Sequence, residues 1–141
     1  MAEGSMTKAE REAFLADVHV GVLAVDDPGR GPLALPVWYV VDDGDVLISM
    51  DGTSKKARLL RSAGRATLTA QSEAAPYQYV SVEGPVVVES TPLDVVELAS
   101  RYLGPELGAW YATENPPTED TVAARLTPEH WNTMDFAKLL A

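Results

Sequence analysis

Positive charge in this sequence is concentrated in one window that contains no acidic residue. Between Gly52 and Ser72 there is no Asp or Glu, although the 141-residue chain carries 21 acids and a net charge of −10. The same window holds five of the eleven cationic side chains, which are Lys55, Lys56, Arg58, Arg61 and Arg65. In an acidic protein, such a concentration favours the binding of an anion such as a phosphate or a carboxylate.

The cationic window coincides with the predicted start of a helix. Gly52-Thr53-Ser54 breaks the preceding strand, residues 55–63 have helical spacing, and Gly64 is a natural C-cap. The free amides and the macrodipole at a helix start favour an anion, and the hydroxyls of Thr53 and Ser54 add donors. The alternative is that the cations only decorate a solvated helix face. The strand-loop-helix context and the local exclusion of acids favour the anion site.

Side chains for other chemistry are scarce in this sequence. The absence of cysteine excludes a thiolate nucleophile and a cysteine-ligated metal. His19 and His130 lack metal-ligand spacing, so no metal site is predicted, and neither a G-x-S-x-G elbow nor a Walker loop is present. The pattern is typical of a protein that binds a reactive cofactor. The candidates for a ring-binding wall are aromatic, with packing in a barrel core as the alternative: Trp38, Tyr39, Tyr77 and Tyr79.

Length and charge limit the architecture and the partners. A chain of 141 residues predicts one domain, and its negative charge disfavours nucleic acid and anionic lipid. No apolar stretch approaches the length of a membrane span and no signal peptide opens the chain, so we expect a cytoplasmic protein. Residues 1–5 resemble a vector remnant, which leaves residues 6–141 as the domain.

The elements that position these residues are mostly strands. Thr7 and Glu10 form a capping box, Asp43-Gly44 predicts a hairpin, and Pro36 and Gly84-Pro85 indicate sheet edges or bulges. Strands are predicted at residues 19–25, 33–41, 46–50, 65–71, 77–89, 122–126 and 131–134. Helices are predicted at 7–18, 55–63 and 92–103, with a last turn at 135–140 and a loop at 111–120. The layout predicts a mostly β (α+β) barrel with peripheral helices.

The order of several short motifs resembles a known superfamily. The motifs are Pro36-Val37-Trp38-Tyr39-Val40-Val41-Asp42-Asp43-Gly44, Val46-Leu47-Ile48-Ser49, Thr53-Ser54-Lys55-Lys56-Ala57-Arg58-Leu59-Leu60-Arg61 and Tyr77-Gln78-Tyr79-Val80-Ser81-Val82-Glu83-Gly84. In this order they resemble the flavin-binding split β-barrels of the pyridoxamine 5′-phosphate oxidase superfamily, and the short length is similar to the actinobacterial flavin/deazaflavin oxidoreductases of group B. The resemblance implies a six-stranded, Greek-key split β-barrel. It also implies an obligate homodimer with cofactor sites at the subunit interface.

The resemblance also implies which residues contact the cofactor. Its phosphate would lie on the strand-loop-helix that contains Ser49, Met50, Thr53, Ser54, Lys55, Lys56 and Arg61, with Lys56 at the phosphate-binding lysine position. The strand through Pro36, Val37 and Trp38 would lie along the ring, and Tyr77, Gln78 and Tyr79 would reach the cofactor from across the barrel or the dimer. Ala63-Gly64 replaces an Asp-Pro found in many relatives. The substrate signature of the longer oxidases is not visible, so vitamin B6 oxidation is not expected.

Two cofactors fit this description, namely FMN and the deazaflavin coenzyme F-420. The abundant cations favour F-420, whose oligoglutamate tail adds negative charge. We therefore expect an F-420-dependent reductase that delivers a hydride to a small enone, alkene or imine. An FMN-dependent oxidase or reductase and a non-catalytic flavin-, F-420- or haem-binding protein remain alternatives. Residues 71–76 and 111–120 are the expected substrate walls. No catalytic acid is assigned, and the candidate proton sources are Tyr79 and a bound water.

Overall fold

Eight antiparallel strands form one curled sheet in the computed structural model, which describes residues 3–140. The main path runs β2-β1-β5-β6-β7-β4-β3, and β8 pairs with β6 beside that path. The strands are β1 (Gly21–Val25), β2 (Leu33–Val37), β3 (Val40–Asp42), β4 (Asp45–Asp51), β5 (Arg65–Gln71), β6 (Gln78–Glu89), β7 (Thr121–Leu126) and β8 (His130–Asp135). Met1 and Ala2 of the predicted vector remnant, and Ala141 of the predicted domain, lie outside the described residues.

The two ends of the sheet are consecutive in the chain. Strands β2 and β3 terminate the path and are joined only by Trp38 and Tyr39, so the sheet curls into the expected mostly β split barrel. Tyr39 is fully buried and its hydroxyl donates to the carbonyl oxygen of Leu15 at 2.6 Å. The predicted strand at residues 33–41 is therefore divided in two. This division turns the seven strands predicted from the residues into eight, whereas the resemblance implied six.

Strand β6 changes partners along its length, and Gly84 lies at the change. Residues 78–83 pair with β8, whereas residues 86–89 pair with β7. The strand continues through Gly84-Pro85 without the predicted interruption. A Cβ on Gly84 would overlap the carbonyl oxygen of Thr127, so the glycine is required by the close approach of another backbone.

The local signals at the element ends are confirmed. Helix α1 (Lys8–Ala16) begins with the capping box of Thr7 and Glu10. Asp43 and Gly44, with φ of 50° and 82°, form the hairpin between β3 and β4. Helix α2 (Lys55–Ala63) ends at Gly64, whose φ of 69° is left-handed.

Helix α3 (Val95–Glu114) differs most from the expectation. It begins after Asp94 rather than at residue 92, because the Asp94 carboxylate accepts hydrogen bonds from the amides of Val96 and Glu97. Gly104 is non-helical, with φ 84° and ψ 167°, and ends the first segment as predicted. Pro105 then starts a second segment, so residues 111–114 of the predicted loop are helical. Proline is well tolerated in a first helical turn, where its missing amide costs nothing.

The α3 helix is fixed to the barrel through side chains. The Tyr102 hydroxyl lies 2.7 Å from the carbonyl oxygen of His19 and 2.9 Å from that of Tyr39, and accepts a hydrogen bond from the Tyr39 amide at 3.0 Å. Arg101 donates to the carbonyl oxygens of Ala16 and Asp17. A short 3₁₀ helix (Phe136–Leu139) closes the described chain.

We expect Gly84→Ala to destabilise the fold by about 1–3 kcal/mol, because the added methyl group has no space beside Thr127. Urea unfolding followed by circular dichroism measures the change. Gly31→Ala is the control, since a Cβ there would meet nothing within 4 Å. Equal stability of the two variants would contradict the interpretation of β6.

Candidate functional site

A cavity of about 720 Å³ brings together six of the thirteen predicted site residues. They come from the end of β2, the end of β4 and the start of α2: Pro36, Val37, Trp38, Ser49, Met50 and Lys56. The opposite side is supplied by α3 and the segment 115–118 that follows it. The sheet and two helices therefore converge on one volume.

The turn between β4 and α2 is organised by its own hydroxyl groups. Asp51 Oδ1 accepts hydrogen bonds from the amide and the hydroxyl of Thr53, both at 2.7 Å. These bonds lower the pKa of Asp51, the hydroxyl bond more than the amide bond. Ser54 Oγ donates to the Asp51 carbonyl at 2.6 Å and accepts from the Ala57 amide at 3.2 Å, which caps the helix. Thr53 and Ser54 thus fix the turn.

Lys56 is the cation that lines the cavity. It is the second residue of α2, its side chain is half-buried, and it has no ion pair or hydrogen bond with other residues in the range 3–140. Burial lowers its pKa, because the low-polarity surroundings disfavour the charged form. The first amides of a helix also lack intrahelical acceptors. An anion beside Lys56 would therefore meet both a charge and free donors.

Two other predicted cations support the turn instead of lining the cavity. Lys55 Nζ pairs with Asp27 Oδ2 at 3.0 Å, which ties α2 to the loop between β1 and β2. Arg61 donates to the carbonyl oxygen of Gly52 at 2.6 Å, and so holds the turn from the other end of the helix. Their positions near Lys56 still contribute positive potential, but their polar groups already have partners.

Trp38 lies in the wall of the cavity and against α3. Its ring stacks on Tyr102 with a centroid distance of 5.0 Å and an angle of 5°, and meets Tyr111 at 5.2 Å and 52°. Tyr39, the next residue, belongs to the core. Trp38 therefore lines the cavity, whereas Tyr39 is a core residue.

Tyr77, Gln78 and Tyr79 lie elsewhere in the molecule. Tyr77 precedes β6, and Gln78 and Tyr79 are its first residues, where Gln78 pairs with Asp135 of β8. Gln78 borders a second cavity of about 300 Å³ that also contacts Met6 and Phe14. None of the three lines the cavity that contains Lys56.

Helix α3 supplies wall residues that the sequence did not identify. The apolar side of the cavity is formed by Val95, Leu98 and Ala99 of the helix and by Leu93 just before it. Asp51 belongs to the polar side. The apolar face of an amphipathic helix indicates burial, but not which surface it covers. Tyr111 and the segment 115–118 lie in the stretch that was expected to form a substrate wall.

The chemistry of the lining fits an elongated organic anion. Among the described lining residues, only Asp51 and Lys56 carry charge. In the part of the chain that the structure describes, no three His, Asp or Glu side chains are grouped to hold a metal ion. None of the helices described there has the length and apolar composition of a membrane span. An apolar ring would fit against α3 and β2 while an acidic group reached Lys56.

Comparison with known proteins identifies a family for nearly the whole chain. The family described as pyridoxamine 5′-phosphate oxidase matches residues 7–135. A search of curated proteins found no match.

Several solved structures share the fold. A conserved hypothetical protein from Mycobacterium tuberculosis has a TM-score of 0.79 at 24% identity, covering 100% of this chain and 92% of its own. An F-420 reductase has a TM-score of 0.68 at 22% identity, covering 86% and 94%. An FAD and haem binding protein from Mycobacterium smegmatis has a TM-score of 0.66 at 14% identity, covering 94% and 73%. At these identities the likeness establishes the fold.

The burial of Lys56 predicts a pH dependence of anion binding. We expect the affinity for phenyl phosphate to be full while Lys56 is protonated and to fall as the pH rises through its lowered pKa. The second phosphate ionisation, near pH 6, is complete above about pH 8, so a fall in affinity between about pH 8 and the ordinary lysine pKa of 10.5 reports on the lysine. Isothermal titration calorimetry measures the profile.

Lys56→Arg is the matched control for this profile. An arginine stays charged over the whole range, so its affinity should remain constant where that of the wild-type protein falls. A flat wild-type profile would show that the anion does not contact Lys56.

Proposed function

Since this chain belongs to the pyridoxamine 5′-phosphate oxidase family, we propose that it binds a flavin-type cofactor in the cavity beside α2 and acts as an F-420-dependent reductase. The single observation that carries the proposal is Lys56 at the start of α2, half-buried and without an ion pair among residues 3–140, inside a cavity that is otherwise mostly apolar. This is a site for one acidic group attached to a large ring.

The residues of the cavity fit such a cofactor. Lys56 and the first amides of α2 would hold the phosphate, as helix starts commonly do. Pro36 and Val37, at the end of β2, would lie along the ring, and Ser49 and Met50 would border it from β4. A volume of about 720 Å³ is within the usual range for sites of large organic ligands.

The cofactor, in its reduced form, would supply a hydride to an electron-poor double bond of a small enone, alkene or imine. The protein would contribute orientation and the exclusion of water. Leu98 and Ala99 of α3 are buried and apolar, so they keep solvent away from one side of the cavity. Trp38, fixed by Tyr102, keeps that wall rigid. Holding the reactants in one geometry accelerates the reaction in such sites.

We favour F-420 over FMN on the ground of charge. The F-420 tail carries additional carboxylates, and Arg58, Lys55 and Arg61 lie on the same short helix as Lys56. Because Lys55 and Arg61 already have protein partners, their contribution is a field rather than direct contacts. Solved structures with the same fold include both an F-420 reductase and an FAD and haem binding protein, so FMN and non-catalytic binding are the alternatives.

We also propose that the protein works as a homodimer. Tyr77, Gln78 and Tyr79 lie away from the cavity of their own protomer, and Tyr77 is 53% exposed. In a dimer, this segment would reach the cofactor of the partner. Phe136 and Leu139 follow β8 and are also exposed. The Phe136 amide donates to the Tyr77 carbonyl oxygen, so these apolar side chains lie close to Tyr77.

A side-by-side titration with F-420 and FMN tests the cofactor assignment. We expect F-420 to bind more tightly, and its affinity to fall as salt is added, because the contact is partly ionic. Quenching of cofactor fluorescence measures both affinities. Tighter FMN binding would favour the flavin enzyme, and binding of neither would contradict the proposal.

Lys56→Ala should weaken cofactor binding by about 1.5–3 kcal/mol, the range for a hydrogen bond to a charged group. Lys55→Ala is the matched comparison. It removes the same charge from the neighbouring residue, whose side chain does not line the cavity. We expect a much smaller loss for Lys55→Ala. Equal losses of affinity would show that Lys56 contributes only to the positive potential and makes no direct contact with the cofactor.

A further inference from the structure

The phenol of Tyr111 is an unused hydrogen-bond donor in the wall of the cavity. Tyr111 lies in the second segment of α3, and its ring borders the same volume as Lys56. Its carbonyl oxygen accepts hydrogen bonds from Asn115, but its hydroxyl has no partner among residues 3–140. The hydroxyl is therefore free to donate to a ligand.

The position of the Tyr111 ring is fixed by packing. Gly108 lies one turn earlier, and a Cβ there would overlap the backbone of Ser100. The two segments of α3 thus touch without a side chain between them. The ring of Tyr111 also meets Trp38, which is itself stacked on Tyr102. A donor held in this way needs little ordering when a ligand binds.

The other hydroxyl groups of the lining lie on other elements. Thr118 and Thr121 lie after α3, and their Oγ1 atoms accept from the Asp120 and Thr118 amides and lie 3.5 Å from each other. The hydroxyl of Ser49 belongs to β4, beside the turn that leads to Lys56. Tyr111 is the free hydroxyl on the α3 wall within the described chain.

We propose that Tyr111 donates a hydrogen bond to the carbonyl oxygen of the organic substrate. When a hydride adds to a conjugated carbonyl compound, negative charge develops on that oxygen, and a fixed donor stabilises this charge. The apolar side chains of Val95 and Leu98 on the same helix, and of Leu93 just before it, would contact the remainder of a neutral ring. The inference rests on the proposed function, because it takes the α3 side of the cavity that would hold the cofactor as the place where the substrate lies.

A solvatochromic ketone tests the donor without turnover. Prodan is a neutral naphthalene ketone whose emission moves to longer wavelength when its carbonyl accepts a hydrogen bond. We expect Tyr111→Phe, which keeps the ring against Trp38, to weaken Prodan binding about tenfold. The emission of the bound probe should also move to shorter wavelength. The same aminonaphthalene without the ketone should bind wild type and Tyr111→Phe equally.

The control removes a different hydroxyl from the same helical segment. Thr113→Val deletes an exposed hydroxyl that bonds only to the Ala109 carbonyl, and it should leave Prodan binding unchanged. Matching thermal unfolding curves show that the variants are folded. Unchanged emission in Tyr111→Phe, or failure of the wild-type protein to bind Prodan, would overturn the proposal.

The test separates this inference from the proposed function. Binding of F-420 and FMN to the same variants is measured independently, and we expect less than a twofold change for Tyr111→Phe, because Tyr111 lies on a different element from Lys56. If neither cofactor binds the wild-type protein, the proposed function fails while the Prodan result still decides the role of Tyr111. With a cofactor bound, Tyr111→Phe should lower kcat for a cyclic enone more than it changes KM.

Discussion

The hydrogen bonds of two tyrosines at the closure of the sheet determine where everything else lies. Tyr39 fills the core at the junction of β2 and β3 and donates to Leu15 of α1. Burial raises the pKa of its hydroxyl, so the group remains a donor at any physiological pH. Tyr102 joins the same junction to α3 through the carbonyl oxygens of His19 and Tyr39. Both ends of the sheet and two helices are fixed at this point, and Trp38 is carried into the cavity wall as a result.

The division of labour among the cations follows from the cost of burying charge. A charge at the surface can be paired cheaply, and Lys55 and Arg61 use their charges to support the turn at the start of α2. Lys56 is half-buried and has no ion pair among residues 3–140, and we propose that an acidic group of a ligand offsets the cost of burying its charge. The family assignment and the geometry therefore meet at one side chain.

Short-range signals in the sequence predicted the element ends well. The capping box of Thr7, the Asp43-Gly44 hairpin and the C-cap at Gly64 act over a few residues, so they can be read locally. The resemblance assigned Lys56, Trp38 and Ser49 to the cofactor, and in the structure all three line one cavity. The ion pair of Lys55 with Asp27 and the apolar wall from α3 join residues that are distant in the sequence, and no local pattern encodes them. Residues 111–114 were predicted as loop and are helical, because Pro105 begins a second helical segment after Gly104.

The second segment of α3 contributes no strand to the sheet and begins at a glycine that interrupts the helix. Its residues contact the barrel through side chains such as Tyr111, so exchanging them would alter the shape of the pocket without removing a single ladder hydrogen bond. Barrel and helix are in this sense separable parts. Under the proposed function, the barrel would retain one coenzyme across many descendants while the helix diversified to accept new molecules.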